Sequence, residues 1–129
     1  MKFRSKALRF LIGDIRDKDI LDTAMDGIDY VAHLASIVGD PACKLNSDLA
    51  IKTNFESSKN LLEKSKNSEV SKFIFASTCS NYGKMDDPEA YVDENSRLAP
   101  VSLYAELKVK FEKYMSISTL LILNVFYKN

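Results

Sequence analysis

The stretch KFIFASTCSNYG, residues 72–83, decides the fold of this chain. Its first half is aromatic and apolar, which predicts a strand over Lys72–Thr78 that is buried on both faces. Its second half is small and polar, as expected where a buried strand ends in a loop. Strands buried on both faces are typical of parallel sheets covered by helices. The rest of the chain should therefore alternate apolar strands with helices.

The segments around this strand do alternate in that way. Apolar runs predict further strands over Ala7–Ile12, Asp29–Ala35 and Thr119–Phe126. Amphipathic runs predict helices over Asp17–Met25, Ser47–Lys66 and Ser102–Met115, with a loop at Gly39–Pro41 and an extended polar segment over Cys79–Val101. Asp17 suits the N-cap of the first helix and Gly27 suits its end. The pattern indicates an α/β fold, a parallel sheet with right-handed helical crossovers.

Composition narrows the class of protein. The chain has 129 residues, enough for one domain, with 18 Lys+Arg against 18 Asp+Glu. This balance favours no nucleic-acid partner, and no apolar run is long enough to cross a bilayer. The two cysteines, Cys43 and Cys79, have neither a disulfide framework nor metal-ligand spacing. We expect reduced thiols, no membrane partner and a cytoplasmic location.

The ends of the predicted strands indicate where a site should lie. Ligands of open parallel sheets bind beyond the carboxyl ends of the strands. The residues that follow the predicted strands there are small or polar: Gly13, Asp14, Ile15, Ala35, Ser36, Ser77, Thr78 and Ser80. This pattern predicts a cofactor cleft, although ordinary turn residues would produce it too.

The last predicted helix carries a pair with a chemical meaning. Tyr104 and Lys108 are four residues apart, so both side chains project from one helical face. An ammonium beside a phenol should lower the pKa of the tyrosine, and a hydroxyl such as that of Thr78 could complete a proton path. The alternative for this pair is a packed tyrosine and a solvated lysine.

Six stretches together resemble the NAD-dependent epimerase/dehydratase family, the extended short-chain dehydrogenases/reductases that include nucleotide-sugar epimerases and dehydratases. They are GDIRD (Gly13–Asp17), DYVAHLAS (Asp29–Ser36), TNFESSKNLLE (Thr53–Glu63), KFIFASTCSNYG (Lys72–Gly83), VDENSRLAP (Val92–Pro100) and SLYAELK (Ser102–Lys108). They follow the family's order and spacing over about residues 8 to 115. The resemblance implies a Rossmann-like domain that binds NAD, with NADP left open.

The resemblance also implies roles for residues. Tyr104 would be the general acid/base, and Lys108 would activate it and bind the nicotinamide ribose. Thr78 falls at the catalytic Ser/Thr position, with Ser77 as the substitute one residue away. The implied cofactor contacts are Asp14 at the adenine amino group, Ile15 beside it, Leu34 and Ala35 along the cofactor, and Asn54 near the nicotinamide. Tyr104 and Lys108 complete the cofactor set.

The implied reaction is hydride transfer at a carbon of a nucleotide sugar, through a keto intermediate. Family members that dehydrate sugars have an Asp-Glu pair after the catalytic threonine, where this chain has Cys79 and Ser80. An epimerase or a reductase is therefore favoured over a dehydratase. We expect His33 and Cys79 to be packed residues, and the acidic run from Asp86 to Glu94 to be a solvated loop with no metal.

The family's glycine-rich turn, which holds the cofactor pyrophosphate, has no match here. The glycines are Gly13, Gly27, Gly39 and Gly83, and their spacing cannot build it. We expect residues 1–129 to be one partial NAD(P)-binding domain, truncated before the family's third strand and without the substrate lobe. Its exposed sheet could be covered by a second copy or a partner chain. Three functions stay open: an epimerase, a non-catalytic remnant acting as an interaction module, and a reductase of another carbonyl substrate.

Overall fold

The computed structural model describes residues 9–84, 91–117 and 121–125, the last range by its backbone alone. Three parallel strands form the sheet in the order β1 (Tyr30–His33), β2 (Lys72–Ala76) and β3 (Leu121–Val125). Tyr30 lies opposite Lys72, and Lys72 lies opposite Leu121. The α/β fold and three of the four predicted strands are confirmed.

The predicted strand over Ala7–Ile12 is wrong for its described residues. Residues 9–12 form no strand, and residues 7 and 8 lie outside the described part. Phe10 is 83% exposed and Ile12 is 96% exposed. A strand needs a neighbour for its backbone hydrogen bonds, and β1 pairs with β2 alone among the described strands. An apolar run without that neighbour stays irregular.

The helices follow the predictions closely at their starts. Helix α1 (Lys18–Met25) begins after Asp17, whose side chain accepts hydrogen bonds from Asp19 N and Ile20 N. Helix α5 (Leu103–Ser116) begins after Ser102, whose Oγ accepts from Ala105 N at 3.2 Å. These side chains satisfy backbone donors that a helix start leaves free.

Two predictions between β1 and β2 need correction. The loop predicted at Gly39–Pro41 is instead the start of helix α2 (Asp40–Leu45), because Pro41 suits the first turn of a helix. The long helix predicted over Ser47–Lys66 is interrupted. It consists of α3 (Ser47–Ile51), a π-helical turn (Lys52–Glu56) and α4 (Ser57–Lys66).

Within the extended polar segment, the described structure is one short 3₁₀-helix, Cys79–Tyr82. Residues 85–90, with most of the predicted acidic loop, lie outside the described part. No helix among residues 9–84 and 91–117 is long and apolar enough to cross a membrane.

The core joins β2 to α4 and α5. Phe73, Phe75 and Phe111 are at most 1% exposed, and Leu62 and Met115 are fully buried beside them. The rings of Phe75 and Phe111 meet edge to face with centroids 4.7 Å apart. This packing fixes α5 against the carboxyl end of β2, and the candidate site lies there.

Candidate active site

Lys108 reaches from α5 to the end of β2. Its Nζ donates a hydrogen bond to the carbonyl of Ala76, the last residue of the strand, at 2.8 Å. The amine also lies 4.5 Å from the ring centroid of Phe75 and 5.7 Å from that of Tyr104. The residue is 3% exposed. Lys108 is thus a buried cation held between the strand end and Tyr104, and not the solvated lysine of the alternative interpretation.

Burial makes the amine of Lys108 easier to deprotonate. Loss of solvent lowers the pKa of Lys108 to about 8, while the negative charge of Glu112 opposes the fall. A lysine in this range can exchange its proton near neutral pH.

Tyr104 is positioned as predicted, but its pKa is shifted in the opposite direction. Burial raises the pKa of Tyr104, the neighbouring Cys43 and Cys79 add to the rise, and a hydrogen bond with Thr78 opposes it. The sequence-based expectation of a lowered pKa is therefore wrong for this state. The spacing predicted a shared helical face, but it could not include the desolvation of the phenol.

The structure separates the two candidate hydroxyls after β2. Thr78 is the one that lies near the phenol of Tyr104, where its hydroxyl opposes the rise in the pKa of that phenol. Its Oγ also accepts from Ser80 N at 3.2 Å and so caps the short 3₁₀-helix. The hydroxyl of Ser77 instead donates to the carboxylate of Glu112. Thr78, and not Ser77, therefore belongs to the group around Tyr104.

Asn54 holds the loop that follows β1. Its Nδ2 donates to the carbonyl of Ile37 at 2.8 Å, and its Oδ1 accepts from the amide of the same residue at 2.7 Å. The side chain is 2% exposed and lies within the π-helical turn. Its predicted contact with a cofactor stays a prediction, because the polar atoms of the amide are engaged by the loop.

Replacing Asn54 with alanine should destabilise the chain by about 1–3 kcal/mol, because two backbone groups of the half-buried Ile37 would lose the buried amide that partners them. Urea unfolding followed by circular dichroism measures this loss. Asn60→Ala is the matched control, since Asn60 is exposed on α4. Equal unfolding free energies for the two variants would contradict the role of Asn54.

The other four predicted cofactor residues line one open cavity of about 400 Å³ beside β1. These residues are Asp14, Ile15, Leu34 and Ala35. The carboxylate of Asp14 is paired with the guanidinium of Arg16, whose Nη2 lies 2.5 Å from Oδ2. This hydrogen bond lowers the pKa of Asp14 to about 2. The cavity therefore has an ionised carboxylate, paired with Arg16, at one end and apolar surface along β1.

His33 is a packed residue, as expected. It is 3% exposed, its Nε2 lies 2.7 Å from the Oγ of Ser58, and its ring contacts the core phenylalanines. Burial first, and then the charge of Lys108, lower its pKa to about 4. Cys79 is different, because its thiol is exposed and not packed in the core. It follows Thr78, where the chain leaves the strand.

Sequence reasoning missed Glu112, Asn81 and Arg16. Glu112 could have been found, because it extends the spacing of Tyr104 and Lys108 by one further turn. Arg16 carried only a weak signal, two residues from Asp14. Asn81 carried none, because its partners depend on how α5 packs against β2.

Residues 2–119 match the model of the NAD dependent epimerase/dehydratase family. The chain therefore belongs to this family, and its sheet is Rossmann-like. The resemblance seen in the sequence is confirmed.

Three relatives show how far the similarity extends. A UDP-glucose 4-epimerase of Rickettsia typhi is 41% identical over 71 residues, 55% of this chain. A Methanocaldococcus jannaschii protein called an uncharacterized membrane protein is 42% identical over 77 residues, 60% of this chain. A UDP-N-acetylglucosamine 4,6-dehydratase (inverting) of Campylobacter jejuni is 31% identical over 111 residues, 86% of this chain. The matches span 21%, 23% and 28% of these relatives, respectively.

A solved structure agrees with the sequence relatives. The UDP-glucose 4-epimerase of Thermus thermophilus, in complex with NAD, superposes with a TM-score of 0.81 at 28% identity. The similarity covers 89% of this chain and 39% of that one. The chain thus matches less than half of the length of that enzyme.

Proposed function

We propose that this chain carries the proton-transfer part of an NAD-dependent nucleotide-sugar epimerase, with Tyr104 as the general acid/base. The convergence of Thr78, Tyr104 and Lys108 at the end of β2 carries the proposal. A buried lysine, a phenol and a hydroxyl lie together there, at the carboxyl end of the central strand. Structural packing alone gives no reason to bury the lysine amine, since burying a charge is costly.

The residues present fit the adenine and nicotinamide ends of NAD better than they fit the pyrophosphate between them. Asp14, paired with Arg16, would accept from the adenine amino group, and Leu34 and Ala35 would lie along the cofactor. Lys108 would donate to the nicotinamide ribose. The pyrophosphate has no matching glycine-rich turn in this sequence. When bound, the nicotinamide would accept and return a hydride, and the same residues do not separate NAD from NADP.

Tyr104 would move the proton that accompanies this hydride. Its raised pKa keeps the phenol protonated at neutral pH, so it is prepared to donate a proton to a sugar oxygen. Removal of a proton requires the phenolate, which the hydrogen bond with Thr78 favours. Thr78 would also contact the sugar oxygen, and Lys108 would hold Tyr104 and the ribose in place.

A nucleotide sugar is the proposed substrate, because two of the relatives and the solved structure named above are enzymes named for UDP-sugars. One relative is a dehydratase, so membership of the family does not choose between the reactions. Elimination of water needs an acid and a base after Thr78, and this chain has the exposed Cys79 and Ser80 there. Epimerisation is therefore the favoured reaction. We place it in the cytoplasm, on the support of two free thiols.

Incubating the purified chain with NAD and UDP-galactose tests this function. Proton NMR of the anomeric region follows the conversion to UDP-glucose. The proposal predicts conversion that depends on NAD, with no eliminated product. A folded chain that converts neither this sugar nor UDP-N-acetylglucosamine would contradict it. Reduction of a simple carbonyl compound by NADH in the same sample would instead favour a reductase.

A second candidate is an interaction module, and the open side of the sheet supports it. Large apolar residues are exposed around β1: Phe10 at 83%, Ile12 at 96%, Tyr30 at 63%, Leu34 at 69% and Val38 at 67%. Exposed patches of this kind mark contact surfaces. Light scattering after gel filtration distinguishes the cases, because a self-associating module should form a dimer that Leu34→Ser weakens.

A further inference from the structure

Glu112 lies one helical turn beyond Lys108 on α5 and is bound to the segment after β2. Its Oε1 accepts from the hydroxyl of Ser77 and from Nδ2 of Asn81, the latter at 2.9 Å. Nδ2 of Asn81 also donates to the Ser77 hydroxyl at 3.0 Å. The three side chains form a closed network in which each contacts the other two, and such networks restrict their members more than separate pairs do.

Two members of this network lie on either side of Thr78 in the sequence. Ser77 precedes it directly, and Asn81 follows within the 3₁₀-helix that Thr78 caps. Asn81 is fully buried, and its backbone carbonyl accepts from Ala99 N at 2.8 Å. Glu112 therefore holds the residues on both sides of Thr78, one directly before it and one three positions after it.

Glu112 also acts on the charge of Lys108. Burial disfavours the ammonium, and the negative charge of the Glu112 carboxylate opposes this effect. The other titratable groups facing Lys108 are Tyr104 on its own helix and His33 on β1. His33 has a pKa lowered to about 4 and is neutral at neutral pH, so it adds no positive charge that would disfavour the Lys108 ammonium.

We propose that Glu112 is a positioning residue that keeps Lys108 charged and fixes Thr78 beside Tyr104. A catalytic role for Glu112 rests on the proposed function. Its effects on the charge of Lys108 and on the position of Thr78 can be measured without cofactor or substrate.

The charge effect is tested by replacing Glu112 with glutamine, which keeps a carbonyl acceptor and removes the charge. In a chain labelled with ¹³C-lysine, NMR titration follows the Lys108 resonance, assigned by its loss in Lys108→Met. The charged fraction of Lys108 at pH 8 should fall about twofold or more, because the supporting carboxylate is gone. Glu106→Gln is the matched control, since Glu106 is exposed on the same helix; it should leave the titration unchanged.

The positioning effect is tested by amide hydrogen exchange. Residues 77–82 should exchange at least about threefold faster in Glu112→Gln than in Glu106→Gln, because the network that orders them is weakened. If Glu112→Gln does not fold, Glu112→Asp serves both measurements, with smaller changes in the same direction. A folded variant in which neither the Lys108 titration nor the exchange differs from the control would overturn the proposal.

These outcomes are separable from those of the proposed function. If the chain converts no sugar but Glu112→Gln changes the Lys108 titration, the proposed role of Glu112 stands. The proposed epimerase function would then be refuted. If the chain converts sugar, Glu112→Gln should lower the turnover number by a larger factor than it changes KM, because the substrate contacts remain. An unchanged turnover number would overturn the proposal.

Discussion

Tyr104→Phe should lower the rate of UDP-galactose epimerisation at least about a hundredfold, because positioned acid/base groups contribute factors of this size and phenylalanine has no proton to transfer. The fold should not change, since the ring and its neighbours remain. The NMR assay of sugar conversion measures the rate, and circular dichroism verifies the fold. The reason for the large effect is local: the phenol lies beside Thr78 and beside the buried Lys108, whose Nζ is 5.7 Å from its ring centroid.

Tyr114→Phe is the control for this prediction. Tyr114 lies on the same helix, and its hydroxyl donates to Glu63 at 2.7 Å, away from the end of β2. It should keep nearly the full rate. A Tyr104→Phe variant that retains more than about a tenth of the wild-type rate would remove Tyr104 from the proposed mechanism.

Phe111→Ala should reduce the free energy of unfolding by about 3–5 kcal/mol, which is a large part of the stability of a domain this size. Phe111 is fully buried and packs edge to face on Phe75, 4.7 Å between ring centroids. Its removal leaves a cavity between α5 and β2, and the site residues on both elements would lose their support. Urea unfolding monitored by circular dichroism measures the loss.

Ile117→Ala provides the comparison, because Ile117 is 87% exposed at the end of the same helix. It should change stability by less than about 0.5 kcal/mol. If Phe111→Ala proves too unstable to fold, Phe111→Leu should still cost more than the control. A loss below about 1 kcal/mol for Phe111→Ala would mean that this contact does not hold the two elements together.

The fold was predictable where the signal is local. Apolar runs gave the three paired strands, the predicted N-cap Asp17 gave the start of one helix, and the amphipathic run from Ser102 gave the start of another. Residues 9–12 show the limit, since an apolar run becomes a strand only beside a partner. The π-helical turn was also beyond prediction. Its inward-facing Asn54 binds Ile37, 17 residues away, and periodicity carries no information on that contact.

The proximity of Tyr104 and Lys108 was predictable from the sequence, but the pKa values of the two side chains were not. The spacing of Tyr104 and Lys108, with the family resemblance, placed the pair and Thr78 together. The pKa of Tyr104 could not be inferred, because it depends on burial and on Cys43, which lies far away in sequence. The link from Ser77 to Glu112 spans 35 residues and exists only because α5 packs on β2.

Calorimetric titration with NAD tests the central claim most directly, namely that these residues form a cofactor-dependent site. After a circular dichroism check of folding, NAD should give saturable heat. Lys108→Met and Asp14→Asn should each weaken binding about tenfold, a change of about 1.4 kcal/mol, while Lys113→Met, exposed on α5, should not. A folded chain that gives no heat with NAD, or equal affinities for all three variants, would contradict the account.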